Sequence, residues 1–582
     1  MTKRILKYRE VVFLLGALIV GVLYWLTCPK VDHVVLHRDG SRIESTLPIS
    51  IPMKRGEVFD VELNVDAGST SDFGIEIHPD DCVTSFFVNG KAVEFEKYPG
   101  SCDFGKGFTI TRADIQSYLP SETSKYHLAL TIRNNGGPGG MNFEIHSKSV
   151  LQIVLSVAFI LFVCAGIFFF GARFNIDRRL LIIFLLGVIL RFAYTQETAY
   201  NDRSHDVEAH LKYIEFVAMD HHIPDASECF TCYHPPVYYV FSAGFWKLSY
   251  WLRLDSPRTV MWFDFFVSLL TLALGLACFR EFLWGGPRYI AALLWSFWPG
   301  LVLASPRIGN DVLFHAMHIL VLWGCIRYTK TNNGKFILAS VIAAGIAFWV
   351  KSTATISFGI IFVTILVNAL PKIRKGLTRI EWSSIVVFAL MAIFILYHVA
   401  SAGVVGNVDE PDVNSVVYVA NNPGKYLFFD VRSFLLNPYT SPTNNEMGRM
   451  FFWNYLAKTS LFGEFRLLTS VAGQWLAALI SASFLVLLGF GIRGLTLMKL
   501  TKINVLLVAQ ALFFFASSIA LCLKIPYSCS NDFRFIFPVL LSCIPWVATG
   551  ISEKESSLKL KAVGGIAVAV FVICSVVLLL KL

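Results

Sequence analysis

Charged side chains are scarce in this chain of 582 residues: Asp, Glu, Lys and Arg together make up only 16%, whereas hydrophobic residues make up 55%. A water-soluble fold of this length does not need so many apolar side chains to fill its core. The scarcity of charge therefore excludes an ordinary soluble protein and predicts a polytopic α-helical membrane protein. The 50 Phe and 13 Trp fit that class, since aromatic residues fill helix bundles and gather at the headgroup level.

Two further absences bear on compartment and partners. Acidic residues are outnumbered, and the resulting net charge of +9 is typical of basic cytoplasmic loops, so no nucleic-acid partner is expected. No Asn-x-Ser/Thr sequon occurs in the sequence, which argues against the endoplasmic reticulum. We therefore expect a multi-pass protein of a bacterial inner or plasma membrane.

The first 27 residues combine a basic start with an apolar core, as a signal peptide does, but no small-x-small cleavage site follows. Tyr24 and Trp25 suit a membrane-interface belt. Residues 1–27 are therefore predicted to be an uncleaved transmembrane anchor, and residues 149–173 a second transmembrane helix.

Residues 28–148 have a different pattern. Stretches such as "FDVELNV" and "LALTI" alternate apolar and polar residues, which predicts strands with one buried face, and Asn89-Gly90 predicts a two-residue hairpin turn. We expect an antiparallel β-sandwich, carried outside the cytoplasm by the anchor. There Cys82 and Cys102 could form a disulfide or remain as two buried thiols, and the disulfide is favoured.

Thirteen apolar runs follow residue 150, and the anchor brings the number of candidate spans to 14. If the run 235–252 crossed the membrane, the basic loop "PKIRKGLTR" would lie outside, against the usual preference of Lys and Arg for the cytoplasm. With this run lying along the interface as an amphipathic helix, all basic loops lie inside. The prediction is therefore about 13 spans, with long extracytoplasmic loops at 197–258 and 401–469.

The stretch "SHDVEAHLKY" (204–213) places carboxylates and histidines in the first of these loops. Asp206 and His210, four residues apart, would share one helical face and could contribute to a metal site. The stretch could equally be a solvated helix start with capping carboxylates. A third interpretation is catalytic, because a carboxylate at a membrane boundary can take a proton from an incoming nucleophile.

The sequence resembles other proteins in two places. The segments "DDCVTSFFVNGKAVEF" and "YLPSETSKYHLALTIRNNGG" are similar to galactose-binding-like jelly-roll domains, some of which bind sugars; a purely structural module is equally compatible. Further on, "SHDVEAH", "CYHPPVYYV" and "SPRIGNDVL" follow one another around the first core spans, and "FWVKSTA", "FFWNYLAKTSLFGEF" and "SNDFRFIFP" come later. In this order they resemble the GT-C superfamily of membrane glycosyltransferases, in particular the protein O-mannosyltransferases and aminoarabinose transferase-like bacterial enzymes.

The resemblance covers about residues 174–582 and implies a GT-C-like domain that takes a sugar from a polyprenyl-phosphate donor. By the same resemblance Asp206 would be the general base, acting on an acceptor hydroxyl at the extracytoplasmic face. Lys351 and Arg534 would stabilise the negative charge that grows on the leaving phosphate. Snorkelling towards lipid headgroups is the alternative role for these two cations.

Asp311 has two precedents in the superfamily: binding a divalent metal, together with Asp206, or acting without one. Asn310 stands where a second acidic residue would be expected, which weakens the case for a metal, and an Asn-Asp helix cap is the alternative. His210 and His234 are further candidates for contact with the substrate. Glu464 could contact sugar or acceptor, or it could bond to the backbone.

Cys229-x-x-Cys232 precedes the His-Pro-Pro element without a thioredoxin-like pattern, so a local disulfide or two thiols are expected rather than a redox centre; a bridge from Cys529 to one of them is a further option.

The sequence thus predicts an inverting hexosyl or pentosyl transferase of the cell envelope, with a glycan, lipid or protein as acceptor. The alternative is a transporter or flippase for the lipid-linked sugar. Transporters place charged residues near mid-membrane in two related halves. Neither that placement nor an internal repeat is found here.

Overall fold

The structure of the protein, a computed structural model, describes the chain from residue 9 to residue 582 with several gaps. The gaps are residues 39, 46–48, 52, 67–72, 80–81, 95–107, 112–124, 136–138, 148, 205, 403–411, 554 and 556. The chain divides into two compact units, one of residues 1–176 and 244–260 and the other of residues 177–243 and 261–582.

The ten described strands belong to the first unit. They are β1 (Lys30–Arg38), β2 (Ser41–Ser45), β3 (Ile49–Ile51), β4 (Val58–Asp66), β5 (Phe73–Pro79), β6 (Cys82–Val88), β7 (Lys91–Ala92), β8 (Phe108–Thr111), β9 (Lys125–Arg133) and β10 (Gly139–Ser147). They form two antiparallel sheets, of order β2-β1-β4-β9-β6-β7 and β3-β10-β5-β8.

The described helices are the following. They are α1 (Arg9–Thr27), α2 (Val150–Arg173), α3 (Arg178–Glu197), α4 (Val207–Glu215), α5 (Val237–Leu252), α6 (Ser256–Phe282), α7 (Gly286–Phe297), α8 (Pro299–Leu303), α9 (Asn310–Thr331), α10 (Gly334–Phe348), α11 (Thr355–Asn368), α12 (Arg379–Ala402), α13 (Pro423–Leu427), α14 (Val431–Leu436), α15 (Phe452–Phe462), α16 (Val471–Thr496), α17 (Lys502–Lys524), α18 (Leu540–Ser552) and α19 (Leu558–Leu580).

Alternation in the sequence explains the strands. In β4 the side chains of Phe59, Val61, Leu63 and Val65 are buried while their neighbours are exposed or half-buried, because successive residues of a strand point to opposite faces. These side chains and those of the second sheet, such as Phe143, form one hydrophobic core. The two sheets therefore bury a shared face, as in a sandwich.

The hairpin turn lies where the sequence places it. Val88 pairs with Lys91, and both Asn89 and Gly90 have positive φ, as a type I′ turn requires. Cys82, at the start of β6, is disulfide-bonded. Cys102, its predicted partner, lies outside the described residues, so the pairing of Cys82 with Cys102 stays a prediction.

α1 and α2 form an antiparallel pair in the first unit. At one end Arg173 of α2 is ion-paired with Glu10 of α1, and at the other Gln152 Nε2 donates to the carbonyl of Thr27 at 3.0 Å. Between them the ring of Phe162 fills the space that a side chain at Gly16 would take. The anchor and the second predicted transmembrane helix are thus both helical and pack on each other.

Ten helical segments of the described chain are long and apolar enough to cross a membrane, including α1, α2 and the stretch Ser528–Ser552. This finding confirms a multi-pass membrane protein. The other three predicted spans are shorter helices: α10, α11, and the pair α7 and α8. The total of 13 spans therefore stays a prediction, with ten of them helices of sufficient length.

The predicted run 288–305 is not one continuous helix. It breaks at Trp298, whose backbone is extended between α7 and α8. Pro299 is the cause, because a proline disfavours helical backbone at the residue before it. The Trp298 indole donates to the carbonyl of Ser460 at 2.7 Å, and Gly300 lies so close to the same carbonyl that a side chain would not fit.

The predicted long loops contain helices of their own. The segment 197–258 holds α4, a π-helical turn at Phe216–Asp220, and α5, where the sequence predicts an interfacial helix. The segment 401–469 holds α13, α14 and α15, apart from residues 403–411, which lie outside the described part. Both segments therefore present side chains from fixed secondary structure.

Candidate functional site

Asp206 stands at the start of α4 in an unusual backbone conformation. Its φ of 57° and ψ of 20° are left-handed, so Asp206 precedes the helix, and the predicted helical face shared with His210 is wrong. Its carbonyl accepts a hydrogen bond from the His210 amide at 3.0 Å. The carboxylate makes no capping hydrogen bond and is exposed, which leaves its oxygens available to a substrate.

His210 lies one turn into α4 and is buried. Its Nδ1 is 2.9 Å from the hydroxyl of Tyr239, and its ring stacks on that of His234 with centroids 6.0 Å apart. Burial lowers the pKa of His210 to about 3, and the neighbouring cations lower it further, against the attraction of Asp311. Burial also holds the pKa of His234 well below its ordinary value. Both rings are therefore neutral near pH 7.

The first turn of α5 ties three segments together. The Tyr238 hydroxyl donates to Asp264 Oδ2 and accepts from the backbone N–H of Gly309, both at 2.9 Å. One residue earlier, the Val237 N–H donates to the carbonyl of Trp349 at 3.1 Å. These bonds bring the His-Pro-Pro segment next to the loops that carry Asp311 and Lys351.

Asp311, which is half-buried, and Lys351, which is buried, form an ion pair across the start of α9. The alternative role of Asp311 as a helix cap is not what is observed, because Gly309 occupies the N-cap position of α9. Burial lowers the pKa of Lys351, and the charge of Asp311 opposes that effect. The carboxylate therefore holds a desolvated ammonium in place.

Arg534 reaches the same place from the 3₁₀ turn Phe533–Val539. Its guanidinium carbon lies 4.8 Å from the ring centroid of Phe535, and the Lys351 ammonium lies 4.9 Å from that centroid. The Arg534 Nε is 3.4 Å from Asp532 Oδ2, and its carbonyl accepts from His315 Nε2 at 2.8 Å. The two predicted phosphate-binding cations thus share one aromatic ring.

Arg307 is a third cation of the site, half-buried, and the sequence did not single it out. Its guanidinium carbon lies 5.5 Å from the ring centroid of Phe465, and its Nη2 has no hydrogen-bond partner among the described residues. Burial and the charge of Arg534 lower its pKa, while Asp532 and other carboxylates raise it. The only signal in the sequence was a basic residue four positions before Asp311.

Two further carboxylates, Glu464 and Asp206, lie near these cations. The Tyr455 hydroxyl donates to buried Glu464, and Glu464 acts electrostatically on Arg307 and Arg534. Asp206 also acts on Arg534. Burial and the charge of Asp206 raise the pKa of Tyr233. One connected site, here called the cation site, therefore contains Asp206, His210, His234, Arg307, Asp311, Lys351, Glu464 and Arg534.

The donor set does not fit a divalent metal. Among the described residues no three His, Cys, Asp or Glu side chains are grouped as metal ligands, and the Lys351 ammonium takes one oxygen of Asp311. Cys229 and Cys232 cannot act as thiolates, because they are joined in a disulfide. Cys529 is free, so its suggested bridge to that pair is wrong.

Comparison with known proteins gives remote structural likenesses. No family model and no curated protein matches the chain. The chain is similar to the crystal structure of ArnT from Cupriavidus metallidurans in the apo state, with 12% identity, a TM-score of 0.38, and 69% of this chain and 75% of ArnT covered. The ArnT structure bound to undecaprenyl phosphate gives 12% identity, a TM-score of 0.30, and coverage of 63% and 77%.

A third likeness is to arabinosyltransferase EmbB from Mycobacterium smegmatis, with 10% identity and a TM-score of 0.38. It covers 95% of this chain, which spans about half of EmbB (54%). These scores are too low to carry a functional conclusion, so the chemistry has to be inferred from the residues of the site.

Proposed function

We propose that this protein is an integral membrane glycosyltransferase that moves a sugar from a polyprenyl-phosphate donor to an acceptor hydroxyl at the extracytoplasmic face. One observation carries the proposal: three cations, Lys351 buried and Arg307 and Arg534 half-buried, lie in the same site as an exposed carboxylate, Asp206. A phosphate is an anion that such a set recognises, since arginine offers paired donors and lysine a point charge.

The reaction follows from this arrangement. Asp206 accepts the proton of the acceptor hydroxyl while the hydroxyl oxygen bonds to the anomeric carbon. The bond between that carbon and the phosphate oxygen breaks, and its electron pair stays on the phosphate. The cations offset the new charge in a desolvated site, where each contact counts for more than in water. Attack opposite the leaving group inverts the anomeric configuration.

The neutral histidines have a separate role. His210 and His234 are held below their ordinary pKa values, so they add no positive charge to the site at pH 7. Neutral rings donate and accept hydrogen bonds, which suits sugar hydroxyls. Glu464, buried beside Tyr455, would orient a further hydroxyl or one of the arginines. We place this activity in the bacterial cell envelope, with a glycan, lipid or protein as acceptor.

The test starts from the donor side. Purified full-length protein in nanodiscs is given undecaprenyl phosphate or undecaprenol, which lacks the phosphate, and binding is measured. We expect undecaprenyl phosphate to bind at least about 10-fold more tightly, from one or two charge-assisted contacts. A panel of polyprenyl-phosphate pentoses and hexoses is then incubated with membrane extracts as the acceptor source, and release of polyprenyl phosphate is followed.

Two results would overturn the proposal. Equal affinity for the phosphate and the alcohol would remove the donor assignment. Movement of intact lipid-linked sugar across the bilayer, without release of polyprenyl phosphate from any donor, would identify a flippase instead.

A further inference from the structure

A buried arginine outside the cation site has no negative partner in the part of the chain that the structure describes. Arg191, in the last two turns of α3, is 2% exposed, and no carboxylate of the described residues is ion-paired with its guanidinium. Its Nη1 donates to the carbonyls of Gly187 at 3.2 Å and Ser296 at 2.8 Å. Its Nε has no hydrogen-bond partner among the described residues.

Backbone carbonyls accept some of the hydrogen bonds that this guanidinium can donate. Ser296 is in the last turn of α7, where the helix dipole favours a cation. A dipole end carries about half an elementary charge, so it does not neutralise a full positive charge. Arginine stays protonated in proteins, and an uncompensated ion inside a membrane domain is unfavourable. A missing counter-ion therefore has to come from outside the described side chains.

A cavity lies beside Arg191. Its lining includes Ser268, Thr271, Trp295 and His315. The hydroxyls of Ser268 and Thr271 now donate to carbonyls of their own helix and can rotate towards a ligand. The space is narrow, with room for a group of about the size of a water molecule.

We propose that this cavity binds a small monovalent anion of halide size, held by the Arg191 guanidinium. A polyatomic phosphate or carboxylate ligand is too large for the space. A water molecule would satisfy the free Nε–H but would leave the charge uncompensated.

The position of the cavity also relates the anion to the cation site. His315 lines the cavity, and its Nε2 donates to the carbonyl of Arg534. An anion at Arg191 is therefore next to the histidine that holds the backbone of a cation-site residue. The anion site itself does not depend on the proposed transferase activity, because its tests measure stability and ion position.

The first test is thermal unfolding of the full-length protein in detergent, with gluconate exchanged for bromide or chloride at constant ionic strength. We expect a saturable rise of about 2 °C or more in the unfolding midpoint with either halide, because a ligand of the native state stabilises by mass action. The Arg191→Met variant should show no rise. Equal midpoints of the wild-type protein in gluconate and halide would overturn the proposal.

Two further variants keep the test decisive. Arg493→Met is the matched control, because Arg493 also donates to a backbone carbonyl, that of Gly550 at 2.9 Å, but does not line the cavity; it should retain the halide response. Val312→Phe fills the cavity and leaves Arg191 in place, so it should lose the response even if Arg191→Met does not fold. A response that persists in Val312→Phe would contradict the site.

Position is tested directly with bromide-soaked crystals of the wild-type protein. Anomalous density within hydrogen-bond distance of the Arg191 guanidinium is expected. Density for water alone in the cavity at saturating bromide would overturn the proposal.

Discussion

The residues of the cation site differ widely in how exposed their side chains are. Lys351 and Glu464 are each 7% exposed and are held by Asp311 and Tyr455, whereas the carboxylate of Asp206 is exposed and has no capping role. A buried, ion-paired carboxylate is a poor proton acceptor, because taking a proton would leave its partner's charge unmatched. Asp206 is therefore the carboxylate of the site best placed to act as base.

The first prediction concerns that role. Asp206→Asn keeps the size of the side chain but cannot accept the proton, so transfer should fall by about 10²–10⁴-fold, the usual contribution of a general base. Binding of undecaprenyl phosphate should change little. The measurement is release of polyprenyl phosphate together with donor affinity.

Glu208→Gln is the matched control, since Glu208 is an exposed carboxylate two residues away on α4. It should retain nearly full transfer. Retained turnover in Asp206→Asn, or an equal loss in Glu208→Gln, would remove the base assignment.

The second prediction concerns Arg307, whose Nη2 lacks a partner among the described residues. Arg307→Ala should weaken undecaprenyl phosphate binding by about 10-fold or more, the effect of one charge-assisted contact. Affinity is measured in nanodiscs by titration.

Arg203→Ala removes the same charge from the segment between α3 and α4, where Arg203 is half-buried against Tyr194. Its donor affinity should stay close to that of the wild-type protein. A comparable loss in both variants would mean that general attraction, and not contact, accounts for the effect.

Secondary-structure elements were the most predictable part of the chain. Period-two alternation located β4 and β9, and apolar length located helices such as α16. The left-handed backbone at Asp206 was not predictable, because nothing in the residue type requires it. Pro299 is a sequence signal for the break at Trp298, but the prediction from apolar composition alone gave one continuous span at 288–305.

The third prediction concerns α5 as an element. Tyr238→Phe removes the hydroxyl that joins α5 to Asp264 and to the backbone of Gly309. Two buried polar groups would lose their partner, which costs about 1–3 kcal/mol each in the free energy of unfolding. The unfolding midpoint in detergent should therefore fall.

Tyr250→Phe is the control on the same helix, because Tyr250 is 58% exposed. It should leave the midpoint within error of the wild-type value. A Tyr238→Phe protein as stable as the control would show that the bonds are not structural.

At the scale of the whole molecule, composition predicted the membrane class, and ten helical segments of sufficient length among the described residues confirm it. The site was predictable only in part. The order of the motifs identified Asp206, Asp311, Lys351 and Arg534, but the sequence does not reveal which loop cations come together in the fold, so Arg307 was missed. Their proximity depends on packing between segments that are far apart in the chain.

The fourth prediction concerns the pH dependence of stability of the whole protein. The pKa of His210 is about 3 in the native state, against an ordinary value of 6.5 in the unfolded chain, and that of His234 is also lowered. The unfolded state therefore binds more protons between these values. The stabilisation is complete above about pH 6.5 and is lost as the pH falls towards 3.

Unfolding midpoints measured from pH 7.5 to pH 4.5 should consequently decrease. His210→Gln should show a shallower decrease, because one of the titrating groups is gone. The same slope in both proteins would contradict a buried neutral His210.

The Cys229–Cys232 disulfide has a consequence for how the protein is made. The bridge lies two residues before His234, so the segment that carries this histidine matures only after its thiols have met an oxidant. In bacteria the oxidising compartment is outside the inner membrane. Under the extracytoplasmic placement proposed above, chains in which this segment does not cross the membrane would keep two free thiols at Cys229 and Cys232. Because other cysteines of the described residues are also free, a thiol-specific label would have to be read on the peptide that carries Cys229 and Cys232 to separate misinserted from mature molecules.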